Sequence, residues 1–452
     1  MNAGGSAQGA DPPVRRHFGT DGVRGVAGDV LSGELALSIG AAATLEVGGT
    51  RPRVLVIRDT RESGEMLEAA LAAGIASAGG DVLLGGVLPT PAAPLLVDRY
   101  GLDLAAVISA SHNPYEDNGI KFFGADAFKL SDATELAIEA RMDARRERAP
   151  ARIGSIRTMH GTHEDYLRAL QTRFADLDLS GVDVALDCAN GATYRAAPEI
   201  FRRLGARVTV LADAPDGRNI NDGCGSTHTA TLVAAMRDGE HDVGFAFDGD
   251  GDRLLAVDRT GALVDGDELI ALAALHLRAH DRLPGGGVVV TVMTNYGFHT
   301  AMRSAGVAVA ATQVGDRYVL EELRERGWAL GGEQSGHIID MGFVASGDGI
   351  ASALLTLEAL AGRDLAERDA MDKLPQRLVN VRVADRDQAM ASAELADATA
   401  LEGAALEGRG RVLVRPSGTE QLVRVMVEAP SEDETRDVCD RLVALVEAVS
   451  AA

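Results

Sequence analysis

From Arg53 the chain alternates short runs of Val, Ile and Leu with longer segments of helical period, which predicts strand-helix-strand units. The first unit reads R-V-L-V-I-R-D-T, a helix over 63–78, D-V-L-L-G-G-V, a helix over 91–100 and L-A-A-V-I-S-A. The second opens on V-D-V-A-L-D at Val182, runs through a helix ending near Leu204 to R-V-T-V-L, then a helix over 230–237 and D-V-G-F-A-F-D. The third opens on V-V-V-T-V-M-T at Val288 and continues through V-A-V-A-A-T and a helix over 317–326 to W-A-L-G-G-E-Q-S-G-H. After Leu374 the pattern turns strand-rich, with R-L-V-N-V-R-V and R-V-L-V-R-P-S-G-T-E-Q-L-V-R-V-M-V-E, and closes on an amphipathic helix over 432–449.

Such units feed largely parallel sheets, so the expected class is α/β: three related mixed α/β/α sandwich domains and a smaller C-terminal α+β domain. The last strand of each unit runs into a polar loop: S-A-S-H-N-P, D-G-D-G-D-R and G-E-Q-S-G-H. Ligands of open α/β sheets bind beyond the carboxyl ends of strands, so the three loops are expected to face a common cleft. The divisions read from the pattern are a disordered leader over 1–13, domains over 14–160, 161–264 and 265–373, and the small domain over 374–452.

The chain carries 44 Lys and Arg against 67 Asp and Glu, a net charge of -23. A field of that sign repels nucleic acid and anionic membrane, so neither is expected as a partner, and an anionic substrate needs a local positive site. Three scattered cysteines, Cys188, Cys224 and Cys439, argue for a reducing compartment and exclude a C-x-x-C zinc pair. No apolar stretch is long enough for a membrane span or signal peptide, so a cytoplasmic location is expected.

Ser111 follows a strand and precedes His112, Asn113 and Pro114. Proline disfavours the α region for the residue before it, so the loop displays its polar side chains, and a hydroxyl beside an imidazole, with Lys121 further on, is a candidate nucleophile. An ordinary strand-ending turn is the bland alternative. Asp248, Asp250 and Asp252 alternate with glycines, so three carboxylates converge and call for a cation, with hard oxygens selecting Mg²⁺ or Ca²⁺. An EF-hand fails because Arg253 and Arg259 stand where glycine and glutamate are required. R-P-S-G-T-E offers a guanidinium, two hydroxyls and open backbone, the parts of a phosphate cradle, with Arg424 at strand spacing; a plain hairpin turn is the other reading. F-G-T-D-G-V-R-G brings Arg24 in a compact glycine loop that matches neither Walker A nor G-x-G-x-x-G. Glu333, Ser335 and His337 supply a carboxylate, a hydroxyl and an imidazole suited to sugar hydroxyls and proton transfer. H-E-x-x-H and G-x-S-x-G motifs are absent.

With these five stretches in one order, nearly the whole chain after the leader resembles the α-D-phosphohexomutase superfamily, and Gln334 with Ala110 looks like the branch acting on glucosamine phosphates. The resemblance implies four domains around a central cleft and an activating phosphorylation of Ser111. Asp248, Asp250, Asp252 and the phosphoserine would hold Mg²⁺. Glu333 and Ser335 match a sugar-binding loop, and Arg415, Ser417, Gly418, Thr419 and Arg424 match a phosphate-binding loop. His17, Gln421 and Val423 depart from the family pattern without removing any of these groups.

The reaction implied is phosphoryl transfer from Ser111 to glucosamine 6-phosphate, through glucosamine 1,6-bisphosphate, to glucosamine 1-phosphate. Arg24, Lys121 and Arg253 are the charge-stabilising candidates, and His112, Lys121 and His337 the proton-transfer candidates. The expected partner is a phosphosugar, with a homodimer left open. Glucose- or mannose-phosphate mutation on the same machinery is the nearest alternative. A non-catalytic sugar-phosphate or cation-binding protein is the rival from another class.

Overall fold

The computed structural model describes residues 16–19, 21–143, 152–417 and 420–451; the leader over 1–13 lies outside them. They form two compact units, each described separately. The first comprises the described part of Met1–Val264 with Gly315–Glu321 and His337–Ala366; the second comprises Asp265–Val314, Glu322–Gly336 and Glu367–Ala452.

The first unit holds two sheets. One has seven strands in the order Phe18–Gly19, Gly22–Val26, Asp117–Gly124, Leu104–Ile108, Arg53–Arg58, Asp81–Val87 and Ile156–Thr158. Its centre is parallel, with Arg53–Arg58 between Asp81–Val87 and Leu104–Ile108. The other has five strands in the order Leu263–Val264, Leu254–Asp258, Val243–Phe247, Asp183–Asp187 and Arg207–Leu211. Small residues set the packing: Ala36, Ala42, Ala43, Ala72 and Ala106 share one buried cluster with Val54, Val56 and Leu71. Burying apolar surface at roughly 25 cal/mol per Å² is what holds such layers, and alanine lets helices lie close to the sheet.

Each sheet also contains an antiparallel return strand that the parallel reading does not include. Asp117–Gly124 pairs antiparallel with Leu104–Ile108, and Leu254–Asp258 with Val243–Phe247. Asp117–Gly124 shows no alternation because residues 118–123 are all buried, so its sequence lacks the period-two signature of a half-exposed strand.

In the second unit Gly287–Thr291 is fully buried and pairs parallel with Ala308–Thr312 and Leu330–Gly332. The helix Gly266–Ala279 starts on a capping box in which Asp265 and Glu268 each satisfy the other's backbone N–H. The same unit ends in an antiparallel sheet, Gln376–Arg382, Leu422–Glu428 and Arg411–Pro416, backed by the helix Glu432–Ala451 through Val438, Leu442 and Val446. Among the described residues no helix is long and apolar enough to cross a membrane.

Candidate active site

Ser111 leaves the end of Leu104–Ile108 with φ of 53°, in the left-handed region that costs a residue with a Cβ about 1–3 kcal/mol. A buried network fixes it there. The Arg61 guanidinium donates to the carbonyls of Ser111 at 2.9 Å, Asn113 at 2.8 Å and Asp117 at 2.9 Å, and also to that of Pro114. Its Nε donates to Asp59 Oδ2 at 2.9 Å, with both side chains fully buried. Asp59 also accepts from Ser109 Oγ at 2.6 Å, and that hydroxyl accepts the Ser111 N–H at 3.0 Å. Asn221 Nδ2 adds donations to the Ser111 carbonyl at 2.9 Å and the Asn113 carbonyl at 3.0 Å.

Held this way, Ser111 Oγ donates to Asp248 Oδ2 at 2.6 Å and lies 3.3 Å from His112 Nδ1. The carboxylates belong to a tight turn joining Val243–Phe247 to Leu254–Asp258. Asp248, Asp250 and Asp252 are buried, and one oxygen of each falls within 4.8 Å of the others. Glycine at 249 lets the two loops touch, since a Cβ there would lie 2.5 Å from the Ser111 carbonyl oxygen.

Charge in this cluster is only partly balanced from within. Lys121 Nζ contacts Asp250 Oδ2 at 2.7 Å and Asp252 Oδ2 at 3.4 Å. Burial lowers the basicity of Lys121, but Asp21, Asp250 and Asp252 more than reverse it, so the ammonium stays charged. Burial, then the charges of Asp252 and Asp250, pushes Asp248 well above the carboxylate range. Asp252 goes the other way, held low by Lys121 and His337 against its burial. Thr90 Oγ1 donates to Asp250 Oδ2 at 2.6 Å. Asp250 Oδ1 and Asp252 Oδ1 remain buried and accept no hydrogen bond. Hard anionic oxygens that accept no hydrogen bond, even with His337 Nδ1 3.5 Å from Asp252 Oδ1, are what a small divalent cation takes, so the residues present fit Mg²⁺.

Around the turn stand the other candidates of this unit. Arg24 pairs with Asp21 and donates to the Ala110 carbonyl at 3.4 Å. Lys129 donates to Asp21 at 2.6 Å and also pairs with Asp316. Arg253 donates its backbone N–H to Asp248 Oδ1 at 3.1 Å, with its Nε 4.0 Å from Asp252. His337 lies 3.5 Å from Asp252 through Nδ1, while the Gly347 N–H donates to its Nε2 at 3.2 Å. Burial lowers its basicity but Asp252 and Asp316 raise it above that of an ordinary imidazole. His112 is pushed down to about 4 by burial and by Arg253 and Arg24, so its ring is neutral at pH 7.

The remaining candidates lie in the second unit. Glu333 and Ser335 sit in the loop after Leu330–Gly332, where the Gly336 N–H donates to the Glu333 carbonyl at 2.9 Å. Arg415 and Arg424 are directly paired across antiparallel strands, and neither has a carboxylate partner among the described residues. Burial and then Arg424 lower the basicity of Arg415, whose Nη2 contacts Met293 Sδ at 3.6 Å; Arg424 Nε is buried without an acceptor. Like charges set opposite one another destabilise a sheet, so this pair favours an anion. Ser417 is buried and its Oγ accepts the Glu420 N–H at 3.4 Å; Gly418 and Thr419 lie outside the described residues.

Arg61, Asp59, Asn221 and Thr90 were not among the candidates read from sequence. The available signal was R-D-T-R at Arg58–Arg61, a charged run at the end of a buried strand.

Models of the phosphoglucomutase/phosphomannomutase alpha/beta/alpha domains I, II and III match residues 15–149, 159–261 and 265–378, and that of the C-terminal domain matches residues 378–445. The chain belongs to the phosphoglucomutase/phosphomannomutase family. Within it, the chain is 51% identical to a phosphoglucosamine mutase of Moorella thermoacetica over 430 residues, 93% of this chain and 97% of that one. It is likewise 51% identical to one of Saccharopolyspora erythraea over 444 residues, 96% of this chain and all of that one. The fold is shared with a phosphoglucomutase/phosphomannomutase family protein of Burkholderia thailandensis, at TM-score 0.81 and 24% identity over 95% of this chain and 97% of that one. It is shared also with an Aspergillus fumigatus N-acetylphosphoglucosamine mutase solved with GlcNAc-6P and magnesium, at TM-score 0.66 and 20% identity over 98% and 97%.

Proposed function

We propose that this family member is a phosphoglucosamine mutase, interconverting glucosamine 6-phosphate and glucosamine 1-phosphate with Ser111 as the phosphoryl carrier. The observation that carries the reading is Ser111 Oγ, 2.6 Å from Asp248 beside two carboxylate oxygens that accept no hydrogen bond. The choice of sugar is supported by the phosphoglucosamine mutases at 51% identity over nearly the full chain.

In this reading Ser111 is phosphorylated in the active enzyme. Asp248, Asp250, Asp252 and the Ser111 phosphate would hold Mg²⁺, which when bound neutralises charge on the phosphoryl oxygens. Lys121 adds a fixed positive charge beside the turn, and Arg24 and Arg253 extend it. The free 1-hydroxyl of glucosamine 6-phosphate attacks the Ser111 phosphorus, the Ser111 Oγ–P bond breaks, and the hydroxyl proton passes to a base. His112, neutral and 3.3 Å from Ser111 Oγ, is placed to take a proton and return one to the serine oxygen. Glucosamine 1,6-bisphosphate then presents its 6-phosphoryl group to Ser111, which regains it and leaves glucosamine 1-phosphate. Glu333 and Ser335 bind the sugar hydroxyls. Arg415 and Arg424, with Ser417, Gly418 and Thr419, take the phosphate that is not being transferred. The enzyme works in the cytoplasm, with a homodimer as the assembly to test by light scattering.

The test is turnover of glucosamine, glucose and mannose 6-phosphates by phosphorylated protein with Mg²⁺, followed by ³¹P NMR. Glucosamine 6-phosphate is expected to turn over fastest. A preference for a glucose or mannose phosphate overturns the substrate assignment, and no turnover of any overturns the mutase.

A further inference from the structure

Behind the carboxylate turn runs Ser346–Gly347–Asp348–Gly349, a segment given no role so far. Its two glycines lie against the site. A Cβ on Gly347 would fall 2.5 Å from the Asp252 carbonyl oxygen and 2.6 Å from His337 Cε1, and one on Gly349 would fall 2.5 Å from the Arg253 carbonyl oxygen. The contacts are also bonded: the Gly347 N–H donates to His337 Nε2 at 3.2 Å, and the Gly349 N–H to the Gly251 carbonyl at 2.9 Å.

Asp348 sits between them, 2% exposed, and caps the helix Gly349–Leu360 by accepting the Ala351 N–H at 2.9 Å. Capping alone needs one acceptor oxygen and one backbone N–H. Here a second element takes part: Tyr166, 1% exposed on the helix Thr162–Arg173, donates its hydroxyl to Asp348 with both carboxylate oxygens at 3.0 Å. A buried phenol and carboxylate brought together across 182 positions of sequence fix the cap to a second helix as well as to its own.

We propose that the Tyr166–Asp348 pair is a positioning device for the metal-binding turn, setting the Gly347 and Gly349 backbone against which Asp252, Arg253 and His337 rest. Tyr166 and Asp348 touch none of the reacting groups, so they act through that backbone. The inference rests on the function proposed above, because it assigns the turn to a divalent cation.

Two full-length variants test it. Tyr166→Phe keeps the ring and removes only the donor; Asp348→Asn keeps an oxygen for both the Ala351 N–H and the Tyr166 hydroxyl. For Tyr166→Phe the Mg²⁺ concentration for half-maximal activity is expected to rise about tenfold, with the KM for glucosamine 6-phosphate unchanged. Independently of activity, the Mg²⁺ concentration at which the melting temperature begins to rise, set by the dissociation constant, is expected to move by the same factor. Asp348→Asn stays within about threefold of wild type in both. Tyr166→Phe with a lower melting temperature but wild-type Mg²⁺ dependence of both activity and melting would reduce the pair to ordinary helix capping and overturn the proposal. Should the wild type respond to Mg²⁺ in melting yet turn over no sugar phosphate, the proposed function fails while this inference is still decided by the Mg²⁺ concentration at which melting begins to rise in the variant and in the wild type.

Discussion

The carboxylate turn and the Arg415–Arg424 pair are two concentrations of like charge with opposite treatments. In the turn, three buried aspartates already have an ammonium at 2.7 Å and a threonine hydroxyl at 2.6 Å, and two oxygens still accept no hydrogen bond. At the other, two guanidiniums face each other across a strand pair with no carboxylate between them among the described residues. The chain has 67 acidic residues, so leaving two arginines together without one is not a shortage of counter-ions. In the function proposed above, the first site holds a cation in a partly balanced framework. On the same proposal, the second keeps its positive charge for an anion that arrives and leaves.

The contrast breaks most severely at the turn. Ser111→Ala is expected to lower kcat on the order of 10⁴-fold or more. Asp250→Asn, which keeps an acceptor for Thr90 but removes a charge, should cost at least about 100-fold in Mg²⁺ affinity, read by the melting-temperature response to Mg²⁺. Retained wild-type affinity in that variant would remove Asp250 from the cation site.

Arg424→Gln sharpens the other side. Losing one fork of a phosphate grip should weaken substrate binding by about 2–3 kcal/mol, seen as a raised KM. The same change relieves a like-charge pair, so the substrate-free protein should melt no lower, and up to roughly 1 kcal/mol more stably, than wild type. A loss of both binding and stability would mean the pair is structural.

The smallest effect concerns Asp267, a buried carboxylate in the second unit whose Oδ2 accepts the Asn295 N–H at 2.8 Å. Burial, and then Asp265, pushes its pKa up to about 7 from 3.8. The folded state therefore binds a proton that the unfolded chain has already lost between those values, and stability falls as pH rises through that window. Asp267→Asn should flatten this part of the stability curve and leave the Mg²⁺ response alone. Chemical denaturation at pH 4.5 and 7.5 measures it.

How legible all this is in the sequence depends on how local the cause is. Buried parallel strands announce themselves as Val and Leu runs, and the expected R-V-L-V-I-R is the strand Arg53–Arg58. The loops that follow them stand out because glycine and charge interrupt those runs. The return strand Asp117–Gly124 does not, because it is buried along nearly its whole length and carries no period. The supports of Ser111 are hidden for another reason. Arg61 holds its carbonyl across 50 positions and Asn221 across 110, distances over which no spacing rule reaches. Nothing in S-A-S-H-N-P alone discloses a φ of 53° at Ser111. That conformation is imposed by carbonyl acceptors meeting a buried guanidinium from another loop.

The central claim is that Ser111 carries a phosphoryl group between two ends of one sugar. Its most direct test is intact-protein and peptide mass spectrometry before and after mixing with glucosamine 1,6-bisphosphate. The account predicts about 80 Da added to a single peptide, the one bearing Ser111, as expected for one covalent phosphate, and its transfer to glucosamine 6-phosphate on a second mixing. An unmodified Ser111 in protein that still interconverts the two glucosamine phosphates would contradict it.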